Sequence, residues 1–467
     1  MVTEDTNMEI LKLHENYKQR RISPVEIVEY VLARMEKYSN FNSYITICES
    51  EAKQTAKQAE KLFNNGGNHC LLTGIPIGLK DLIYTKGIRT TCGSGVYKDF
   101  IPDKDASVVQ LLKKYTSVII GKQNMHEFAY GTTGDDSFFG PTKNPYNPNK
   151  ITGGSSGGSA CATALGLCSG SLGSDTSGSI RIPAAICGVV GMKPTFGKIA
   201  TEGIYPLSWS MDHIGPITKT VMDNAILFDA ITNHLSTHKS ISKQIAETAS
   251  FNIKGVNVGI PIKYFYENIQ DEIKKQMNVV IDTLEKLGAT IVEVDVTVEK
   301  MDDVMRLSSA IDRSEAYLIN KDIAHDTSNI LGDETRKRIL QGSEYRAYEY
   351  VIAQELKGKL ANTFRNTFKK VDVLLTPTLP ILPPDIGEEE IVMNGKDFNV
   401  RESLMRFTFI ANYIGIPSTS LPGGVCDEGK IPIGVQLMGG WHEEEILYKV
   451  AHRLEKTLDL GKELQIN

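Results

Sequence analysis

The sequence predicts an α/β fold in one large domain, with a mixed β-sheet core covered by helices on both faces. The chain has 467 residues, of which 41% are hydrophobic, so it can bury a large core. Short β-rich segments alternate with helical patterns, which is typical of layered α/β proteins. No long linker, charge block or repeat divides the chain, and we therefore predict that residues 1–467 form one domain.

Residues 1–65 are predicted to be a helical lead-in to this domain. Ser23 is a good N-cap, Pro24 suits the first helical position, and Glu26 completes a capping box. A second helix is predicted over residues 51–63. The run of Asn and Gly that follows, at residues 64–68, ends it.

The alternation of strands and helices begins after the lead-in. The β-rich segments, which predict strands, are residues 117–120, 256–260, 290–296, 371–375 and 434–438. Helical patterns include residues 108–114 and residues 271–287, and Gly288 stops the second of these. Residues 74–200 are the predicted catalytic core, because they contain the lysine and the Gly/Ser-rich segment considered below.

Charge and cysteine content exclude several classes of protein. Lys and Arg number 51 against 57 Asp and Glu, and the net charge of -6 has the wrong sign for a protein that binds nucleic acid directly. Seven cysteines without a C-x-x-C pair indicate reduced thiols. The amino terminus does not resemble a signal peptide, and no apolar run is long enough to span a membrane. We therefore expect a cytoplasmic protein without a membrane or nucleic-acid partner.

Residues 153–179 form a segment in which sixteen of twenty-seven residues are Gly or Ser. A flexible linker would not contain the helix-compatible run at residues 160–168. A phosphate cradle is a second interpretation, but the Walker pattern is absent. A nucleophile elbow is a third, since Ser155 and Ser156 both satisfy G-x-S-x-G, although no apolar strand precedes them.

The end of this segment suits the binding of an oxyanion. Thr176, Ser177, Gly178 and Ser179 supply four consecutive backbone N–H groups. A serine nucleophile also needs a base, and His126 and His213 are the histidines nearest in sequence. Sequence separation excludes neither of them.

Lys80 is a second candidate base, in the strand-like run at residues 74–83. On a strand it would share its face with Pro76 and Gly78, which leave room above the backbone. Burial there would lower its pKa and make it a neutral base. The alternative is a structural lysine that pairs with Asp81 or reaches water.

Several motifs in this order resemble the amidase signature family, and the likeness extends along nearly the whole chain. The motifs are Gly-Leu-Lys80-Asp-Leu, Gly153-Gly-Ser-Ser-Gly-Gly-Ser-Ala160, Gly173-Ser-Asp-Thr-Ser-Gly-Ser-Ile-Arg-Ile-Pro-Ala184, Cys187-Gly-Val-Val-Gly-Met-Lys-Pro-Thr195 and Asp212-His-Ile-Gly-Pro216.

The resemblance implies an amide hydrolase with a Ser-cisSer-Lys triad. Ser179 would be the nucleophile, Ser155 the bridging serine after a cis peptide bond, and Lys80 the base. The oxyanion would bind N–H groups of residues 176–179, and an acyl-enzyme would form.

Four further residues would support the triad without taking a chemical step. Asp175 and Arg181 would brace the nucleophile loop, while Gly154 and Ser156 would support the bridging serine. Ser177 departs from the Gly that is common in the family at this position, and it would narrow the pocket or simply be tolerated.

No metal or cofactor is expected. His126-Glu127 begins like a zincin motif, but Tyr130 stands where the second His belongs. His234 and His238 have i, i+4 spacing on a predicted helix, and we interpret them as surface residues.

Four functions compete. The first is a stand-alone hydrolase of a small-molecule amide. A homodimer is compatible with this function. The chain is also similar to the A subunit of glutamyl-tRNA amidotransferase, which releases ammonia from glutamine and would require partner subunits; its glutamine-binding arginine would align with Lys357. The remaining alternatives are a catalytically silent relative and an α/β-hydrolase esterase that depends on a His.

Overall fold

The computed structural model describes residues 6–247, 253–298, 301–393, 395–426, 430–461 and 463–466. The strands among these residues are β1 (Tyr44–Ile47), β2 (Pro76–Lys80), β3 (Val118–Gln123), β4 (Gly170–Asp175), β5 (Val190–Lys193), β6 (His213–Thr218), β7 (Asn257–Ile260), β8 (Thr290–Glu293), β9 (Val373–Pro377), β10 (Glu390–Met393), β11 (Lys396–Asn399), β12 (Ser418–Val425) and β13 (Pro432–Gly439). The helices are α1 (Ile10–Lys18), α2 (Pro24–Lys37), α3 (Glu49–Asn64), α4 (Ser107–Lys114), α5 (Gly157–Ala164), α6 (Arg181–Ile186), α7 (Val221–Ile231), α8 (Ile241–Glu247), α9 (Ile262–Phe265), α10 (Asp271–Lys286), α11 (Met301–His325), α12 (Asp333–Gln341), α13 (Ala347–Thr367), α14 (Val400–Met405), α15 (Phe409–Ile414) and α16 (Glu444–Leu458).

Eleven of the described strands form one mixed sheet, in the order β1-β3-β2-β4-β6-β5-β12-β13-β9-β7-β8. Strand β2 pairs in parallel with both β3 and β4, and β7 pairs in parallel with β8 and β9. The remaining pairs in the sheet are antiparallel. Helices flank the sheet, and the predicted single-domain α/β fold with a mixed sheet is confirmed.

The predicted elements are present with shifted ends. Each of the five β-rich segments overlaps a strand, and the segments at 108–114 and 271–287 correspond to α4 and α10. The capping box of α2 is confirmed, because the Glu26 N–H donates to Ser23 Oγ at 3.2 Å and the Ser23 N–H donates to Glu26 Oε2 at 2.7 Å.

The helix predicted for His234 and His238 is wrong. Helix α7 ends at Ile231, and Asn233 then adopts a left-handed φ of 60°, which a continuing helix does not allow. The Asp229 carboxylate accepts N–H groups at the start of α8, so this stretch turns from one helix into the next.

The sheet order positions the site. Strands β2 and β4 are parallel neighbours, so their carboxyl ends, at Lys80 and Asp175, lie at the same edge of the sheet. Helix α5 is buried along its whole length and begins directly after Ser155 and Ser156. The Lys and the two Gly/Ser-rich motifs therefore converge at one edge.

All seven cysteines are free thiols. Within the described part of the chain, no helix combines the length and the apolar character needed to cross a membrane.

Candidate active site

Lys80 is the last residue of β2, and its side chain is fully buried. Its Nζ donates to Ser155 Oγ at 2.6 Å and to Ser174 Oγ at 2.8 Å. Burial lowers the pKa of Lys80 to about 7, although the Asp175 and Asp212 carboxylates act in the opposite direction. A neutral amine is therefore present near pH 7.

Asp81 follows Lys80 in sequence but pairs with a different lysine. Its Oδ1 lies 3.6 Å from Lys122 Nζ, and its Oδ2 accepts the Thr91 N–H at 2.7 Å. The alternative in which Lys80 pairs with Asp81 is therefore wrong. Lys80 has hydroxyl partners instead, and these do not stabilise the charged amine as a carboxylate would.

Ser155, the predicted bridging serine, lies in a tightly packed turn. The Gly154–Ser155 peptide bond is cis, as the resemblance implies. The Gly154 N–H donates to Thr132 O at 2.6 Å, and Ser155 O accepts the His126 N–H at 3.1 Å. Backbone contacts on both sides thus fix the direction of the Ser155 side chain.

Ser179 contacts the turn of Ser155 and Ser156 by a backbone hydrogen bond. The Ser156 N–H donates to Ser179 O at 3.1 Å, and Ser156 Oγ donates to Ser174 O at 3.1 Å. Among the described residues, no hydrogen bond joins the hydroxyls of Ser155 and Ser179. The structure thus brings the three predicted triad residues to one edge, with a side-chain contact only between Lys80 and Ser155.

Residues 176–179 form the turn between β4 and α6. Gly178 has a φ of 128°, and a Cβ atom there would lie 2.2 Å from Thr408 Oγ1, so only Gly fits. Ser177 is outside the left-handed region, and its carbonyl accepts from Thr408 Oγ1 at 2.7 Å. The Ser that replaces the usual Gly is therefore accommodated without a left-handed backbone.

The N–H groups of this turn are not equivalent. Gly178 N–H donates to Asp175 Oδ1 at 2.7 Å. In the part of the chain that the structure describes, the N–H groups of Thr176, Ser177 and Ser179 have no acceptor. These three groups are available to bind an oxyanion, whereas Gly178 would have to share its hydrogen.

Asp175 and Arg181, which were predicted to brace this turn, form a fully buried salt bridge, with Arg181 Nη2 3.0 Å from Asp175 Oδ1. Burial alone would raise the pKa of Asp175, but the Arg181 guanidinium overcomes this effect and holds that pKa below its usual range. Asn412 Nδ2 donates to Asp175 Oδ1 at 2.9 Å, and Arg181 Nη1 donates to Gln436 Oε1 at 2.7 Å. The nucleophile turn is thereby tied to α15 and β13.

For two residues of the site, Ser174 and Asp212, no individual role was predicted from the sequence. Ser174 is the second hydroxyl on Lys80, and Asp212 accepts from Thr176 Oγ1 at 2.6 Å and from the Leu207 N–H at 2.8 Å. Burial raises the pKa of Asp212 to about 6. Both residues stand in motifs of the resemblance, but only the folded chain shows what they contact.

Among the described residues, neither His126 nor His213 forms a hydrogen bond with Ser179. His213 is buried, its Nδ1 lies 2.7 Å from Met211 O and 3.2 Å from Asp175 O, and burial lowers its pKa well below the usual value. His126 is also fully buried, and desolvation lowers its pKa to about 3.

Three aromatic residues of the sequence, Phe128, Tyr130 and Trp209, could line an acyl pocket, and they differ in burial. Phe128 packs against the ring of Tyr205 at a centroid distance of 5.2 Å, and Tyr130 is buried as well. Trp209 is 51% exposed, next to Ser208, whose N–H donates to Asp212 at 3.0 Å. The described residues contain no cluster of three His, Cys, Asp or Glu side chains that could hold a metal.

Known proteins share the family and the fold of this chain. The sequence profile of the Amidase family matches residues 26–447. The chain is 35% identical to the A subunit of glutamyl-tRNA(Gln) amidotransferase from Alkaliphilus metalliredigens, over 98% of both chains. A crystal structure of an amidase superposes with a TM-score of 0.88 at 29% identity, covering 96% of this chain and 99% of the other. The corresponding amidotransferase subunit of Thermotoga maritima superposes with a TM-score of 0.78 at 29% identity, covering 97% and 96%.

The fold and these similarities define an enzyme that hydrolyses amide C–N bonds. The chain belongs to the amidase family, as the motifs in its sequence indicate.

Proposed function

We propose that this protein cleaves a small-molecule carboxylic amide to an acid and ammonia or an amine, with Ser179 as nucleophile, Ser155 as bridge and Lys80 as base. The observation that supports this proposal most strongly is the fully buried Lys80 amine, 2.6 Å from Ser155 Oγ and without a carboxylate partner. Its pKa of about 7 suits a general base at neutral pH.

The first chemical step forms the acyl-enzyme. Neutral Lys80 takes the proton of Ser155, and Ser155 takes the proton of Ser179 as Ser179 Oγ bonds to the carbonyl carbon. The hydroxyls of Ser155 and Ser179 come into contact in this step, because catalytic hydrogen bonds often form fully only with substrate bound. The carbonyl oxygen becomes an oxyanion, which binds the free N–H groups among residues 176–179, those of Thr176, Ser177 and Ser179.

The second step releases the amine and then the acid. The relay returns one proton from Lys80 to the departing nitrogen while the C–N bond breaks. A water molecule then attacks the ester and gives a proton to the same relay, and the relay passes this proton to Ser179 Oγ as the bond to the acyl carbon breaks and the acid leaves. The buried Asp175–Arg181 pair takes no proton in either step and keeps the turn of residues 176–179 in place.

A fluorophosphonate tests this proposal without a choice of substrate. We expect a single adduct on Ser179, detected by intact mass and peptide mapping, with fluoride as the leaving group. Ser179→Ala should abolish the adduct, and Lys80→Ala should slow it strongly. Ser159→Ala is the matched control, because the buried Ser159 hydroxyl has no partner among the described residues.

Three other results would contradict the proposal. Labelling at a different residue would exclude Ser179 as the nucleophile. An unlabelled but folded protein would favour the silent relative. If His213→Ala abolished labelling while the fold survived, the esterase alternative would gain support.

The second candidate is release of ammonia from glutamine for partner subunits. It is favoured by the similarity to proteins named as the A subunit of glutamyl-tRNA(Gln) amidotransferase. Lys357 would occupy the place of the glutamine-binding arginine, and Lys lacks the bidentate fork that Arg offers to a carboxylate. Burial lowers the pKa of Lys357, and the nearby Glu315 opposes this effect. The negative charge of Glu315 near Lys357 would weaken the binding of a second carboxylate, that of glutamine.

Glutamine hydrolysis separates the two candidates. We expect the purified chain to release no ammonia from glutamine and to hydrolyse other amides without a partner. Ammonia release from glutamine, or co-purification of the native protein with partner subunits that it needs for activity, would favour the second candidate.

A further inference from the structure

A second cavity, of about 540 Å³, lies at the opposite ends of β4 and α5 from the candidate active site. Leu165, Gly166 and Ser169 line it, just after α5 ends and just before β4 begins. Ser179 and Lys80 are not among its lining residues. This cavity is therefore separate from the site of amide hydrolysis, and its volume suits a small-molecule ligand.

Two cationic side chains border the same point of this cavity. A Cβ atom on Gly166 would lie 3.6 Å from Lys219 Nζ and 4.0 Å from Arg34 Nη2. Both side chains line the cavity. Because both cations lie within about 4 Å of one point, their charges repel each other, and an anion at that point would relieve this repulsion.

Arg34 is held in place with part of its hydrogen-bonding capacity unused. Its Nη2 donates to Leu165 O at 2.8 Å, and its guanidinium lies 5.5 Å and 5.0 Å from the ring centroids of Tyr30 and Tyr38. The Nε atom is buried and has no partner among the described residues. A pre-oriented guanidinium with a free donor is well suited to bind an oxyanion.

The acidic residues of the cavity neutralise these cations only in part. Burial raises the pKa of Asp223 to about 8, so this side chain is mostly uncharged at neutral pH. Glu9 forms an ion pair with Lys12 at 3.0 Å, and its charge also acts on Lys219, whose pKa it raises. Desolvation by surrounding protein atoms, followed by the charge of Arg34, lowers the pKa of Lys219 to about 8, which leaves it mostly protonated at pH 7. The cavity therefore carries an excess of positive charge.

We propose that this cavity is a binding site for a small molecule that carries a carboxylate or a phosphate, with the oxyanion held between Arg34 and Lys219. Both chemistries offer oxygen acceptors to Lys219 Nζ and to the N–H groups of Arg34 that the Leu165 carbonyl does not engage. The site is independent of the amide-hydrolysis proposal, so each can fail without the other.

Calorimetric titration of the full chain with inorganic phosphate, and separately with succinate, tests the site at constant ionic strength in chloride. We expect saturable binding of one anion per chain by at least one of the two probes, and the stronger probe identifies the ligand chemistry. Arg34→Gln and Lys219→Gln should each weaken binding more than tenfold. Lys57→Gln, which removes an exposed charge on α3, should leave it unchanged.

Binding of neither probe would overturn the proposal. Equal binding by the wild type and both cavity variants would also overturn it, because the anion would then bind elsewhere.

A tethered carboxylate gives a second test that needs no ligand. Gly166 has a φ of 67°, which Asn and Asp tolerate best among residues with a side chain, and its Cβ position has only ordinary contacts. Gly166→Asp would place a carboxylate between the two cations, and Gly166→Asn is its uncharged control. We expect the Asp variant to unfold about 1–2 °C above the Asn variant and to lose anion binding. Equal unfolding temperatures would show that the cations do not converge on this point.

Discussion

Two lysines on neighbouring strands are both fully buried, yet their surroundings differ. Lys122 on β3 lies 3.6 Å from the Asp81 carboxylate and donates to Ile83 O at 2.6 Å. Lys80 on β2 contacts two serine hydroxyls instead. Burial lowers the pKa of both, and for Lys122 the first opposing influence is Asp81, its direct neighbour. The comparison shows that the partner, and not burial alone, separates a structural lysine from a candidate base.

Lys80→Met should have the largest effect on chemistry. The apolar side chain fills a similar volume but accepts no proton, so fluorophosphonate labelling of Ser179 should slow by roughly 10²–10⁴-fold. Stability should change by no more than about 1–3 kcal/mol, because only two neutral hydroxyls lose a partner. Labelling at the wild-type rate would contradict the role of Lys80 as base.

Lys122→Met should show the opposite pattern. It leaves Asp81 as a buried carboxylate without its cation, which should lower the free energy of unfolding by about 3–5 kcal/mol. Urea unfolding measures this loss. The labelling rate of the folded fraction should stay within about tenfold of the wild type. A selective loss of labelling with unchanged stability would show that the roles of the two lysines are reversed.

The labelling rate should depend on pH through Lys80. Only the neutral amine is active, so the rate should rise about tenfold per pH unit below pH 7 and level off above it. Measuring labelling between pH 5 and pH 9 at constant ionic strength, within the range where circular dichroism is unchanged, tests this. A rate that is flat across the range would exclude Lys80 as the titrating group.

Ser174→Ala removes one of the two hydroxyls on Lys80. We expect labelling to slow by about tenfold or less, which corresponds to one hydrogen bond that orients the amine. The matched control is again Ser159→Ala. A loss as large as that of Lys80→Met would instead make Ser174 part of the proton relay.

Asp212→Asn should have the smallest effect. The negative charge of Asp212 raises the pKa of Lys80, so its removal should move the midpoint of the labelling profile below pH 7 by a fraction of a pH unit. The Asn side chain can still accept the N–H groups of Leu207 and Ser208. A midpoint that moves upward would contradict this electrostatic role.

The alternation of elements was enough to predict the α/β class, because buried strands and amphipathic helices have different periods. The order of strands was not predictable, since β12 is placed beside β5 by contacts between residues more than 200 positions apart. The error at His234 has a local cause, the left-handed Asn233, which the spacing of two histidines does not reveal.

The candidate site was only partly predictable, because its residues are far apart in the chain and meet through strand pairing. Lys80, Ser155 and Ser179 lie in sequence motifs that are specific enough to show the resemblance to the amidase signature family. The choice between Asp81 and a hydroxyl as the partner of Lys80 depended on which strand lies alongside β2, which sequence does not state. Ser174 is 94 residues from Lys80, and their contact follows from the pairing of β2 with β4.

The salt bridge beneath the nucleophile turn also determines when the site can form during synthesis. Arg181 is held by Asn412 and by Gln436, which follow it by 231 and 255 residues in the chain. A nascent chain that has not yet released these residues from the ribosome lacks the side chains that brace the turn. The turn that carries Ser179, the proposed nucleophile, is therefore completed only near the end of translation, and a chain truncated before β13 should lack amidase activity.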